Sequence, residues 1–332
     1  MAIHIRRREF IFTLGGAAAA WPLAARAQQP EQMRRIGVLF GFAEHDPESL
    51  PRVTAFRQAL ERHGWTQDRN VRIDYRWGAS DNNRLRNEAR ELIGLGPDVI
   101  VAESTPAVSA LQQVTRDTPI VFLIASNPIG SGFVSNLARP GGNITGFTNF
   151  MPSMGGKWLE VLKDIAPHIS RVAAIFNPQT HTGQFSKKLA EVAPLLKVEL
   201  TEVHVHNPGE IEGEINSFAR VPRSGLLVLP DTFTVVHREL IIDLAARNSL
   251  PAVYAYRLFA AGGGLVSYGI DIVGLYRASA EYVDRILRGE RAADLPVQAP
   301  TKFELVINLK TAKALGLEVP PMLLARADEV IE

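Results

Sequence analysis

From Arg35 onward, short runs of aliphatic and β-branched residues alternate with amphipathic stretches, and no other feature of the chain narrows its choice of folds so far. Ile36-Gly37-Val38-Leu39-Phe40 has the composition of a strand covered on both faces, as in a parallel sheet. Residues 51–63 follow with Val53, Phe56, Leu60 and His63 on one helical face. The signals recur as strands over 71–75, 98–102 and 119–125, with helices over 83–95 and 106–114. The segment 126–146, SNPIGSGFVSNLARPGGNITG, is dense in Gly, Asn and Pro and interrupts the pattern. Strands then resume over 171–176, 198–205, 225–229 and 251–256, separated by helices over 182–196, 210–219 and 235–248. Two open α/β sheets in series are the economical outcome.

The tail holds a strand over 264–268, a helix over 271–287, a linker over 294–300, a strand over 301–309 and a short helix over 311–315. These pieces are too small to bury a core of their own, so they complete the two earlier sheets. The chain is therefore expected to cross between lobes three times. Its 332 residues support about two domains.

Residues 1–27, MAIHIRRREFIFTLGGAAAAWPLAARA, have a basic start, an apolar middle and Ala25-Arg26-Ala27 as a small-x-small cleavage site, the three parts of a secretory signal peptide. The apolar middle is shorter than the roughly 20 residues of a spanning helix. Arg7-Arg8-Glu9-Phe10-Ile11 resembles a twin-arginine signal, with an ordinary secretory signal as the other reading. Either route leads to the bacterial periplasm. Removing this leader takes away four arginines and one glutamate and turns the formal net charge from +1 to −2. A body of that charge does not fit nucleic-acid binding. The absence of cysteine excludes disulfides, thiolate metal sites, a Cys nucleophile and a lipid-bearing N-terminal Cys.

No motif points to a cofactor. Gly130-Ser131-Gly132 begins only a partial dinucleotide fingerprint, and Asn127-Pro128 separates it from the preceding strand. Glu202, His204 and His206 share one strand face, which an exposed edge strand explains better than a metal. Glu44-His45-Asp46 offers too few ligands for a metal by itself. Ser104, Ser126 and Ser267 lack the local signature of a nucleophile, and a GxSxG elbow is absent.

What the pattern does supply is a set of polar and aromatic residues at strand carboxyl ends, where open α/β sheets hold ligands. On the first lobe these are Phe42, Glu44, Glu103, Ser104, Thr105, Ser126 and Asn127; on the second they are Asn177, Asp231, Thr232, Tyr254 and Tyr256. Tyr268 ends the strand expected to return to lobe one. Thr105, before Pro106, also reads as a helix N-cap, and Asp231, after Pro230, as a turn residue. A helix starting after Thr105 directs free N–H groups at a carboxylate, and Asp231 opposite would neutralise an ammonium. Phe42, Phe150, Tyr254, Tyr256 and Tyr268 are candidates for an apolar or stacking slot. An exported α/β enzyme, such as a hydrolase using the same cleft, is the alternative, and turnover of a bound ligand separates the two. A regulator's sensor domain would carry a DNA-binding helix pair where this chain has its leader.

PDVIVAESTPAVSALQQVT (97–115), PIVFLIASNPIGSGFVSNLARPGGNITGF (119–147) and PTKFELVINLKTAKALGLEVP (300–320) resemble signatures of the ABC-transporter substrate-binding proteins of the tryptophan/tyrosine-type group, within the type I periplasmic binding-protein superfamily. The resemblance covers essentially the whole mature chain. It implies two Rossmann-like lobes with parallel sheets joined by a three-segment hinge. Lobe one would be 34–147 plus 260–297, and lobe two 148–259 plus 298–332. It also implies a small organic solute, amino-acid-like or an aromatic carboxylate, caught between the lobes and passed to an inner-membrane permease with its ATPase. A monomer without metal or cofactor is expected. Relatives often carry Asp where this chain has Asn127, which removes a possible charge from the cleft. Sequencing the N-terminus of the exported protein is expected to read from Gln28; uncleaved protein in the membrane would contradict the leader assignment.

Overall fold

A computed structural model describes residues 33–181 and 183–332, so the leader lies outside the described residues, as does Thr182 at the start of one expected helix. The first sheet comprises β1 (Arg34–Phe40), β2 (Val71–Trp77), β3 (Val99–Glu103), β4 (Ile120–Ala125) and β5 (Ile144–Thr148), in the order β2-β1-β3-β4-β5. All its pairings are parallel. Between its strands run α1 (Ser49–Arg62), α2 (Asn82–Gly94) and α3 (Thr105–Val114). The central strands VIVAE and IVFLIA are buried at every residue, because helices cover both faces.

The second sheet contains β6 (Arg171–Phe176), β7 (Glu199–His204), β8 (Ser224–Val228), β9 (Ala252–Tyr254), β10 (Val266–Ile270), β11 (Phe303–Asn308) and β12 (Glu329–Ile331), ordered β12-β11-β10-β9-β8-β6-β7. Its helices are α4 (Met154–Ile165), α5 (Ser186–Val192), α6 (Pro208–Ala219), α7 (Thr232–Val236), α8 (Arg238–Arg247) and α9 (Arg257–Ala261). The helix α10 (Ile272–Leu287) then returns to lobe one, and α11 (Leu309–Ala314) and α12 (Pro321–Leu324) finish lobe two. β7 is the edge strand foreseen from Glu202 and His204, whose side chains are exposed or half-exposed.

The chain crosses between lobes three times, after Thr148, after Ile270 and after Gln298. One expectation is corrected. The strand at Tyr268 does not return to lobe one: β10 pairs with β9 and β11 inside lobe two, and only α10 crosses. The reason is local. After the short α9, β10 lies against the strand it follows, so closely that a Cβ on Gly269 would stand 2.0 Å from Ala255 O. The apolar face of α10, with Leu275, Tyr276, Val283 and Ile286, instead covers the lobe-one sheet beside α1. Lobe two is also not wholly parallel. β11 runs antiparallel to β10, because the third crossing enters the sheet at the end where its parallel strands finish.

β5 and β12 lie outside the sequence-derived pattern, being short and, for β5, preceded by Pro140-Gly141-Gly142. β5 nevertheless anchors the hinge. Gln298 N–H donates to Gly146 O at 2.9 Å, and Thr148 N–H donates to Gln298 O at 2.9 Å. Gly146 has φ +146°, and a Cβ there would meet Phe122 O at 2.1 Å. Gly146→Ala is therefore expected to destabilise lobe one by at least about 1–3 kcal/mol, seen as a lower urea midpoint. An unchanged midpoint would mean that β5 does not pack this closely on β4.

Candidate functional site

In each sheet the strand order reverses direction at one place, between β1 and β3 in lobe one and between β6 and β8 in lobe two. Strand carboxyl ends at such reversals leave a crevice between diverging connections. The two crevices face one another across a narrow cleft. Its lining includes Phe42, Glu103, Ser104, Thr105 and Ser126 from lobe one, and Asp231, Thr232 and Tyr256 from lobe two. These eight were foreseen.

Six foreseen residues do not line the cleft. Glu44 is exposed on the loop after β1. Asn127 is exposed, and its Oδ1 accepts from Gly130 N–H, closing a turn. Asn177 stands behind the site, its N–H donating to Asp231 Oδ2 at 3.0 Å. Phe150 packs edge-on against Trp158 and supports Tyr256 from behind, at a centroid distance of 5.6 Å. Tyr254 is wholly buried and stacks on Phe259, and Tyr268 stacks on Phe303 in the sheet that β10 joins. The aromatic slot therefore reduces to Phe42 and Tyr256. Phe150, Tyr254 and Tyr268 are taken up instead in packing against Trp158, Phe259 and Phe303.

Sequence reasoning missed Arg52, Ile124, Asn149, Thr180, Pro230, Val235, Leu258 and Ile272. Arg52 left a signal: it stands four residues before Phe56 and eight before Leu60, on the buried stripe of α1. A charge on that stripe needs partners. Its guanidinium is held by Glu103 at 3.5 Å and Glu48 at 3.3 Å and lies 4.7 Å over the Phe42 ring, while Nε has no partner among the described residues. Burial favours its neutral form, but Glu103 and Glu48 hold it more firmly protonated than usual. Burial pushes the Glu103 carboxyl up, against the pull of Arg52 and a hydrogen bond from Gly41 N–H at 3.1 Å.

At the carboxyl end of β3 the chain turns into α3 through Ser104, at φ +88° and ψ 153°. That region is almost reserved for glycine, and a side chain there stores about 1–3 kcal/mol. Ser104, not Thr105, is the N-cap, and its hydroxyl makes no capping bond. The Oγ is buried, lines the cleft and has no partner among the described residues. Thr105 Oγ1 accepts from Ser126 N–H at 3.0 Å. The N–H groups of Thr105 and Ala107 have no acceptor among the described residues, and Pro106 has none to offer. The first turn of α3 thus presents unpaired donors to the cleft. Ser126 Oγ is engaged with Asn149, so neither Ser126 nor Ser104 is joined to a base.

Opposite stands Asp231, the N-cap of α7 and not a plain turn residue. Its Oδ1 accepts from Thr234 N–H at 2.7 Å and Thr180 Oγ1 at 3.2 Å. Burial pushes its carboxyl up to about 6 even though these hydrogen bonds favour the charged form, and no cation among the described residues forms an ion pair with it. With one hydrogen bond to Oδ2, that oxygen keeps capacity for a further donor.

The chain matches the family described as ABC transporter substrate binding protein over residues 36–331. It is 27% identical over 265 residues to a tyrosine-binding protein of Clostridioides difficile strain R20291, covering 79% of this chain and 76% of that protein. Among solved structures, an ABC domain in complex with L-Trp from Streptococcus pneumonia superposes with a TM-score of 0.82 at 24% identity, covering 90% of this chain and 99% of that one. A ligand-free, open substrate binding protein with adhesive properties from Clostridium difficile gives 0.67 at 26% identity, covering 90% and 99%. Two α/β lobes closing on a lined cleft, over nearly the full matched length, agree with these likenesses: the chain belongs to the ABC transporter substrate binding protein family, with the type I periplasmic binding-protein fold, and is the solute-binding component of such a transporter.

Proposed function

We propose that this chain is a periplasmic receptor for an α-amino acid with an aromatic side chain, delivering it as a monomer to an inner-membrane permease driven by a cytoplasmic ATPase. The observation that carries the reading is the pairing across the cleft of an unpaired helix N-terminus with the Ser104 hydroxyl on one lobe, and a buried carboxylate without a cation, Asp231, on the other. A zwitterion satisfies both. Its carboxylate meets the α3 donors, and its ammonium supplies the counter-charge that Asp231 lacks. Phe42 and Tyr256 give the side chain two aromatic walls. The tyrosine-binding relative supports this ligand class. The twin-arginine leader, cleaved after Ala27, would supply the route of export.

Calorimetric titration of the mature protein with L-tyrosine and L-tryptophan tests the reading. One of them is expected to bind at one site and to leave chemically unchanged; turnover of the ligand would overturn the assignment. Asp231→Asn keeps the shape and removes the charge, and should weaken binding by about ten- to a hundredfold, the equivalent of one charge-assisted hydrogen bond. The helix cap survives, since Asn also caps. Unchanged affinity in a folded variant would return Asp231 to a capping role alone.

The pH dependence has a definite sign. In the empty cleft Asp231 titrates near about 6, and a bound ammonium lowers that value, so binding favours the ionised form. Affinity should be level above neutrality and fall by up to about tenfold per pH unit as pH drops through about 6. Asp231→Asn should abolish that limb. For folding of the empty protein the sign is opposite: the raised carboxyl adds stability below its unfolded value and loses it as pH rises through about 6. At neutral pH the charge costs the empty fold about 3 kcal/mol.

Ser104→Gly removes both the strained side chain and the orphan hydroxyl. The variant should raise the urea midpoint of the empty protein, since about 1–3 kcal/mol of strain exceeds the entropy glycine adds to the unfolded chain. It should also weaken ligand binding. A variant that is more stable and binds as tightly would remove Ser104 from the site.

A further inference from the structure

Asp46 and Arg238 stand on different lobes. Asp46 lies in the turn between β1 and α1, and Arg238 is the first residue of α8. Their side chains form a two-pronged ion pair, Nη1 to Oδ2 at 2.8 Å and Nη2 to Oδ1 at 3.3 Å, with only 12% and 10% of the arginine and aspartate side chains exposed. A cation at a helix N-terminus is disfavoured by its own helix, so nothing within α8 accounts for Arg238 there. Its local partner is Val235 O, to which Nη1 donates at 3.0 Å, and Val235 lines the cleft. Asp46 is equally placed, its Oδ1 accepting from Glu48 N–H at 3.0 Å in the turn that starts α1. Neither Asp46 nor Arg238 lines the cleft itself.

Two further contacts follow the same seam. Ser80 Oγ donates to Thr232 O at 3.3 Å, and a Cβ added to Gly41 would come within 3.1 Å of the Thr232 methyl. The lobes therefore touch along Gly41, Asp46 and Ser80 on one side and Thr232 and Arg238 on the other. Of these contacts only the ion pair carries charge. Opening the cleft must part it and return both charges to water.

We propose that Asp46 and Arg238 are a closing latch, a pair of positioning residues that bridges the lobes when the cleft is shut and prolongs ligand residence without touching the ligand. The pair acts on closure, so it changes the dissociation rate more than the rate of encounter, which occurs with the open form. The idea rests on the reading of the cleft as an amino-acid site only for its choice of probe.

The test compares wild type, Asp46→Asn, Arg238→Gln and the exchanged double variant Asp46→Arg/Arg238→Asp. Asp46→Asn retains the acceptor that Glu48 N–H needs, so the turn is kept. Stopped-flow measurements with L-tyrosine or L-tryptophan should show dissociation about tenfold or more faster in each single variant, with association changed by less than about threefold. Wild-type dissociation should quicken with salt, that of the single variants much less, and the exchanged variant should regain most of the loss. Spin labels on Gln58→Cys and Leu195→Cys, one on each lobe of a chain with no cysteine of its own, report the interlobe distance directly. They should show a larger open fraction in both single variants, with or without ligand. If wild type binds neither amino acid, the proposed ligand is wrong and the distance measurement alone decides the latch. Equal open fractions in wild type and single variants would overturn it.

Discussion

Parallel strands finish on one side of their sheet, and in this protein both sheets turn that side toward the same gap. Every feature of the cleft follows from the arrangement. β1 and β3 deliver Phe42, Glu103 and Ser104, while the ends of β6 and β8 deliver Thr180 and Asp231. Helices that start at such ends point their N-termini into the gap, so unpaired N–H groups collect where a ligand sits. Because the walls belong to two bodies that meet at the hinge and along the Asp46–Arg238 seam, the site exists as a whole only while they are together.

The charges on the two walls are handled differently. On lobe one, Arg52 and Glu103 are both buried and neutralise each other, with Phe42 lying across the guanidinium. Within this pair charge is balanced, although the Arg52 Nε stays without a partner among the described residues. On lobe two, Asp231 has hydrogen bonds but no cation, and its carboxyl is pushed up accordingly. The imbalance across the gap distinguishes a wall that is complete from one that is made complete by what it binds. The strained Ser104 backbone belongs with the second kind, since a well-packed fold with no use for the hydroxyl would place glycine there.

The hinge shows why strands and helices need not travel together. α10 crosses to lobe one while β10, immediately before it, stays in lobe two. Trp158 Nε1 donates to Tyr268 O at 2.7 Å, tying β10 to α4 beside the first crossing. Gln298 lies against both Gly146 and Thr148, and its side chain reaches the Tyr282 hydroxyl of α10 at 2.9 Å. The first and third crossings are thus bound to one another, and Gln298 ties both to α10, which follows the second.

The two α/β sheets, the three crossings and most of the strands are legible in the amino-acid order, because continuous apolar runs and helical stripes report burial directly. That order also placed Ser104, Thr105 and Asp231 at strand carboxyl ends, which are legible wherever a strand is, and the structure puts all three on the lining of the cleft. The sheet to which β10 belongs, the direction of β11 and the partners that hold Arg52 were settled by packing alone. Pairing partners and crossings are settled by which apolar face needs covering, and a single strand's residues do not record its neighbour. The same holds for Tyr254 and Phe150, whose aromatic rings suit a binding slot and a core equally well. Asp46 and Arg238 are 192 residues apart, and their attraction becomes specific only when two separately folded lobes bring opposite charges to 2.8 Å in a partly dry seam.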